Sequence, residues 1–187
     1  PSADLYYKKG MILTGKQNYQ DAASAFKSAL NLNPDHSGSL TELAECLATL
    51  GNNADASVYL EKAVRLNPTD MVLAGKLGRN YITTREFKKA FQVFERIFAA
   101  DSSNIFWNRQ FALSAFRSGN PALAIDLYEK VVEANPRDYT SWVNLIRLYS
   151  GKEIDSMIIH TINRGLGHFP DDPGFYEDLA SFYFGKR

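Results

Sequence analysis

The side chains best suited to chemistry are cations and amides at helical spacing. Lys76 and Arg79 stand three apart, and residues three or four apart share one helix face. Further along come Phe106, Arg109, Gln110, Arg117, Asn144 and Arg147, whereas the stretch before them is acidic at Glu42 and Glu45. Guanidinium and amide groups offer paired donors in fixed geometry, which suits a carboxylate or a peptide backbone. The reading is therefore a groove for an extended peptide with acidic groups, with Phe106 as an apolar contact. The same eight side chains also read as ordinary solvated charges, and residue type alone leaves both open.

Catalytic groupings are missing. His36 follows Pro34-Asp35 in a turn, and His160 and His168 are eight apart rather than the four that would set two imidazoles over one metal. There is no GxSxG, no glycine loop that would cradle a phosphate and no paired cysteine motif. Asp171-Asp172 and Glu177-Asp178 read as helix-start residues favoured by the helix dipole, not as a carboxylate pair. The expectation is a chain that is not an enzyme and carries no cofactor and no metal.

Composition narrows the partners. The chain has 187 residues with 21 basic and 21 acidic side chains, a formal net charge of zero. Nucleic-acid binding favours a basic excess, so the expected partner is a protein or peptide and not a nucleic acid. No apolar run approaches the roughly 18 to 20 residues that would span a bilayer, and PSADLYYKKG lacks the apolar core of a signal peptide. Those features leave the compartment unassigned. Cys46, the only cysteine, cannot form an internal disulfide, and its place in a helical stripe predicts a buried, inert thiol.

The elements that must position these residues repeat. Pro34, Pro68, Pro136 and Pro170 fall at multiples of 34 residues, with Ser102 in the missing place of the series. Within Ser37 to Asp70, Leu40, Leu43, Leu47 and Leu50 form the stripe of one amphipathic helix. Gly51, Asn52 and Asn53 supply a turn. Ala56, Leu60, Ala63 and Val64 then stripe a second helix that Pro68 stops. Small residues at Ala44, Ala56 and Ala63 would let the two helices approach closely.

A 34-residue period of two helices and a turn resembles the tetratricopeptide repeat family, over nearly the whole chain. The first unit carries Tyr6, Gly10, Leu13, Ala22, Phe26, Ala29 and Pro34 at that family's signature places, with Lys9 where leucine is usual. The units run 3–36, 37–70, 71–104, 105–138 and 139–172 within a single repeat domain, with one further helix in 173–187. The third unit ends on Asp101-Ser102-Ser103-Asn104, which reads as a turn and a cap for the next helix. In the fifth, Gly165 and Gly167 weaken the second helix by roughly 1 kcal/mol each, leaving the packing of that pair open and marking it as the most mobile part.

The resemblance implies an all-α fold, a right-handed superhelical solenoid of antiparallel helix pairs, acting as an interaction scaffold. Its groove is lined by first helices, where Lys76, Arg79, Phe106, Arg109, Gln110, Arg117, Asn144 and Arg147 fall. Some family members hold chaperone tails with a clamp of lysine, asparagine and arginine, but those places here hold Tyr7, Met11, Glu42 and Val72, with only Lys76 basic. The last helix is aromatic through Phe175, Tyr176, Phe182, Tyr183 and Phe184. That composition implies either a fragment of a longer array or self-association through this end. A regulatory or substrate-recruiting region of a larger enzyme, and an oligomerisation module, stand as the alternative readings.

Overall fold

The computed structural model describes residues 2–151 and 155–184. In the last helix, the side chains of Leu179, Phe182, Tyr183 and Phe184 lie outside the described residues, and so does the expectation of self-association that rests on them. Among the described residues there are eleven α-helices and no strands. They are α1 (Ala3–Gly15), α2 (Tyr19–Leu32), α3 (Ser37–Thr49), α4 (Asn53–Leu66), α5 (Met71–Thr83), α6 (Phe87–Ala100), α7 (Ile105–Arg117), α8 (Pro121–Ala134), α9 (Tyr139–Ser150), α10 (Asp155–His168) and α11 (Pro173–Phe184). Odd-numbered helices begin 34 residues apart, as the proline spacing requires.

The chain divides into two compact units, residues 1–97 and residues 98–187. In the first, successive helices pack on one another from α1 on α2 through α4 on α5; in the second they do so from α7 on α8 through α10 on α11. Five helix starts carry side-chain caps. Ser2, Asn18, Asp70 and Asn104 accept backbone N–H groups of the first turns of α1, α2, α5 and α7, and the Nδ1 of His36 accepts the N–H of Ser39 at the start of α3. The loop ending in Asn104 thus caps the next helix, although its unit lacks the closing proline. Tight turns after the first helices use the left-handed backbone at one register: Gly51 (φ 83°) and Gly119 (φ 92°), but also Gln17 (φ 59°) and Arg85 (φ 62°), where a side chain costs energy that glycine avoids.

The helices of a pair meet through an exchange of volume. A Cβ added to Gly78 would lie 2.7 Å from Cζ of Phe94, and one added to Gly10 would collide with the ring of Phe26. At the matching register the other pairs hold Ala44 with Leu60, Ala112 with Tyr128, and Ile146 with Ile162, all buried. Small residues therefore face large ones, and in the last pair two of middle size meet.

Gly165 obeys the same logic against a different partner. The helix α10 continues through both Gly165 and Gly167 to His168, and Gly165 is buried because the ring of Phe175 occupies the space of its missing Cβ. Its lack of a side chain seats α11, which composition alone read only as a weakness. Gly167 meets nothing within 4 Å.

Two outcomes follow for urea unfolding of single variants. Gly167→Ala should stabilise the chain by about 0.5–1 kcal/mol, while Gly165→Ala in the same helix should destabilise it by about 1–3 kcal/mol through overpacking. Gly78→Ala should destabilise too, and adding Phe94→Leu should recover part of the loss. A double-mutant cycle should give a coupling of at least about 0.5 kcal/mol; strict additivity would disprove the volume exchange.

Candidate functional site

The eight candidate residues are divided between the units: Lys76 and Arg79 in the first, the other six in the second. In the first unit, Lys76 and Arg79 line a depression of about 120 Å³ together with Glu45, Ala48, Leu60 and Asn80. At these two registers, where Ala48 and Leu60 stand, other repeats hold the larger Ile82 or Phe116 and Phe94 or Tyr128. Asn80 is buried and fixed, donating to the Asn53 carbonyl at 2.8 Å and to Ser57 Oγ at 2.7 Å. Lys76 is held by Glu45, with Nζ 3.1 Å from Oε1, a half-exposed pair of small energetic weight. Arg79 is exposed and has no counter-ion among the described residues, so the depression keeps one uncompensated positive charge.

In the second unit the cations meet a buried acid. Arg109 donates from Nη1 to Asp138 Oδ2 at 3.4 Å, and the Asp138 side chain is only 8% exposed. Asp138 occupies the cap register of Asp70 and Asn104 but makes no side-chain bond to its own helix; its carboxylate is spent on Arg109 instead. The phenol of Tyr128 lies against the same group: burial, then the charge of Asp138, push its pKa up, while Arg109 and Arg147 pull it down. Arg109 and Arg147 are thereby brought to one place. Arg147 is exposed, and it also opposes the upward shift of the Asp178 carboxyl, which burial causes first and Glu177 reinforces.

Asn144, on the same helix as Arg147, is 8% exposed and has no side-chain hydrogen bond among the described residues. Gln110 is half-buried on α7. Phe106 is 46% exposed and stands edge-on to Trp107 at 4.6 Å between ring centroids, and Arg117 is exposed at the end of α7. Glu45 beside Lys76 in the first unit, and Tyr128, Asp138 and Asp178 beside the arginines of the second, were not among the candidate residues; the sequence marked Glu45 only as acidic and Asp178 only as a helix-start residue.

His36, His168 and the cysteine take structural positions. His36 caps α3 through Nδ1 and turns Nε2 to Asp4 Oδ1 at 3.2 Å, while His168 stacks on Trp142 at 6.0 Å. Cys46 is buried, and desolvation pushes its thiol pKa up. No group of three or more metal-ligating side chains occurs among the described residues, and no described helix is long and apolar enough to cross a membrane.

Comparison with known proteins adds the following. Models of the tetratricopeptide repeat match residues 13–70 and 109–150. The chain is 27% identical over 146 residues to BBSome complex member BBS4 of Bos taurus, which covers 76% of this chain and 27% of that protein; the chain thus spans about a quarter of the length of that curated relative. In fold it is similar to the MamA protein (TM-score 0.81, 22% identity, 88% of this chain and 90% of the other). It is also similar to YrrB, described as a TPR protein with an unusual peptide-binding site (TM-score 0.84, 17% identity, 94% and 90%).

The Arg109–Asp138 contact carries a stability cost that urea unfolding can read. Arg109→Ala leaves a buried carboxylate without its cation and should cost about 2–4 kcal/mol; adding Asp138→Asn should recover most of it. Asp178 sets a pH dependence. Its folded pKa is raised, so the folded state holds its proton longer and loses the associated stability as pH rises through the carboxylate range. Asp178→Asn should remove that decline, and Arg147→Ala should steepen it, in unfolding curves taken between about pH 3 and pH 7.

Proposed function

The chain belongs to the tetratricopeptide repeat family, and on that premise we propose that this protein-interaction scaffold holds an extended peptide with acidic groups along its first helices. Each unit is taken by itself: the first offers Lys76 and Arg79, and the second offers Phe106, Arg109, Gln110, Arg117, Asn144 and Arg147. Asn144 is the observation that carries the reading. Its amide makes no hydrogen bond among the described residues and is not closed off from solvent, so its donor and acceptor are open to a ligand. A peptide backbone supplies one donor and one acceptor per residue, which is what a primary amide can meet in a paired fashion.

The charges support acidic rather than basic sequences. Arg79 lacks a counter-ion among the described residues, and Arg147 is exposed beside Asn144 on α9. Phe106 adds apolar surface that a flexible segment can cover. YrrB, similar in fold, is itself described as having a peptide-binding site, which supports a peptide as the ligand class.

Selection from a displayed library of random ten-residue peptides tests this. Enriched sequences should be rich in Asp and Glu, and their affinity should fall at least about tenfold in Arg79→Ala or in Asn144→Ala combined with Arg147→Ala. Arg109 is left unchanged because its removal would unbalance Asp138. Enriched peptides without acidic residues, or binding indifferent to both variants, would overturn the reading.

A further inference from the structure

The first helices share a buried stripe that α1 leaves open. The third and tenth residues of a first helix face the second helix that precedes it. The ring of Phe175, third in α11, fills the space over Gly165 late in α10, and Asn80, tenth in α5, donates to the Asn53 carbonyl and to Ser57 Oγ early in α4. Both positions are accordingly buried in α3 (Ser39, Cys46), in α5 (Leu73, Asn80) and in α9 (Ser141, Leu148). In α1 they are Leu5 and Ile12, which are 58% and 62% exposed. Residues seven apart share one helix face, so these two aliphatic side chains form one apolar stripe, with Lys9 between them.

The helices that cover this stripe elsewhere show what would fit it. Opposite a large third residue the covering helix is small: Gly165 under Phe175, and the buried Ala63 at the register that meets Leu73. Leu5 therefore requires alanine or glycine. Two residues before Ala63 stands Glu61, which lines one depression together with Leu77, the seventh residue of α5. The matching depression between α1 and α2, about 320 Å³, holds Lys9 at the place of Leu77, with Tyr6, Leu13, Asp21 and Ser24 around it. Asp21 is engaged at the start of α2, where Asn18 Nδ2 donates to its Oδ2 at 2.7 Å. Lys9 is exposed and has no counter-ion among the described residues. A carboxylate at the place that Glu61 takes over α5 would meet its ammonium.

We propose that the Leu5–Ile12 face of α1 docks an amphipathic helix of a partner protein, antiparallel to α1 as α4 is to α5, with alanine or glycine over Leu5 and an acid two residues earlier at Lys9. The seam it would form continues those of α2 with α3 and α4 with α5. A second copy does not supply that helix, because the second helices of this chain already bury the residue concerned, at Ala29, Ala63, Ile97, Val131 and Gly165. The face uses none of the residues assigned to the acidic peptide.

The probe is a peptide of the α4 sequence, Asn53–Leu66, stapled between the places of Ala54 and Val58, which are exposed in α4. It is titrated into the full chain with Leu and Ile methyl groups labelled for NMR. Saturable shifts should appear at the Leu5 and Ile12 methyls, with a dissociation constant on the order of 0.1 mM. Ile12→Gln, a change on the exposed surface, should weaken binding at least about tenfold, and so should Ala63→Leu in the peptide. Lys9→Glu should weaken it at least about threefold, and a peptide carrying Glu61→Lys should recover that loss. Absence of saturation, unchanged affinity in Ile12→Gln, or no recovery on charge exchange would each overturn the proposal. So would a sedimentation mass that rises with concentration in the unaltered chain but not in Ile12→Gln, since a second copy would then be the occupant.

Discussion

The structure depends on how closely two helices can approach. Dispersion is strong only at contact, and interiors pack to the density of organic crystals. The pairs reach that density by trading volume at one register. Glycine lies beneath phenylalanine at Gly10 with Phe26 and at Gly78 with Phe94, and alanine stands opposite leucine or tyrosine in the pairs between. Because one residue gives what the other takes, the spacing of a pair survives while its composition drifts. Gly165 with Phe175 applies the same exchange between α10 and α11, one step further along the chain.

That close packing decides where polar chemistry can lie. Residues between helices are apolar or small, so charged groups are left to the first-helix rows and to the flanks of the second helices. Few are free there. Lys76 is paired with Glu45, Lys62 with Asp35, Lys89 with Glu86 and Arg164 with Glu129. Exposed pairs of this kind add little stability, since solvent screens them, but they set which cations remain available to a ligand. Arg79 and Arg96 are among the cations left without a counter-ion among the described residues.

Arg109 shows the opposite case. Its partner Asp138 is buried, and a carboxylate in that position is costly unless a cation and further donors meet it. The arginine is thus tied into the fold while lying among the groove residues. Burial and Asp138 raise the Tyr128 phenol, and Arg147 opposes the upward shifts of both Tyr128 and Asp178, so charges distant in sequence act on the same groups.

Much of the fold was legible in the sequence, because it rests on local rules: a 34-residue period, apolar stripes at helical spacing, and prolines, glycines and Asn or Asp caps that start and stop helices. Those rules act within a few residues of the chain, and helix starts at positions 3, 37, 71, 105, 139 and 173 follow from them. The rows of candidate residues were legible too, since periodicity maps register onto face. What only the tertiary structure decided is which side chains meet across helices. Gly165 reads locally as a weak point and is in fact the seat of Phe175; Asp138 ends its repeat without any local sign that it is the counter-ion of Arg109; Arg164 stacks on Trp142, whereas Arg96, at the same register, has Ala74 at the matching place. In each case the deciding partner lies ten or more residues away, where the chain's own spacing carries no information about contact.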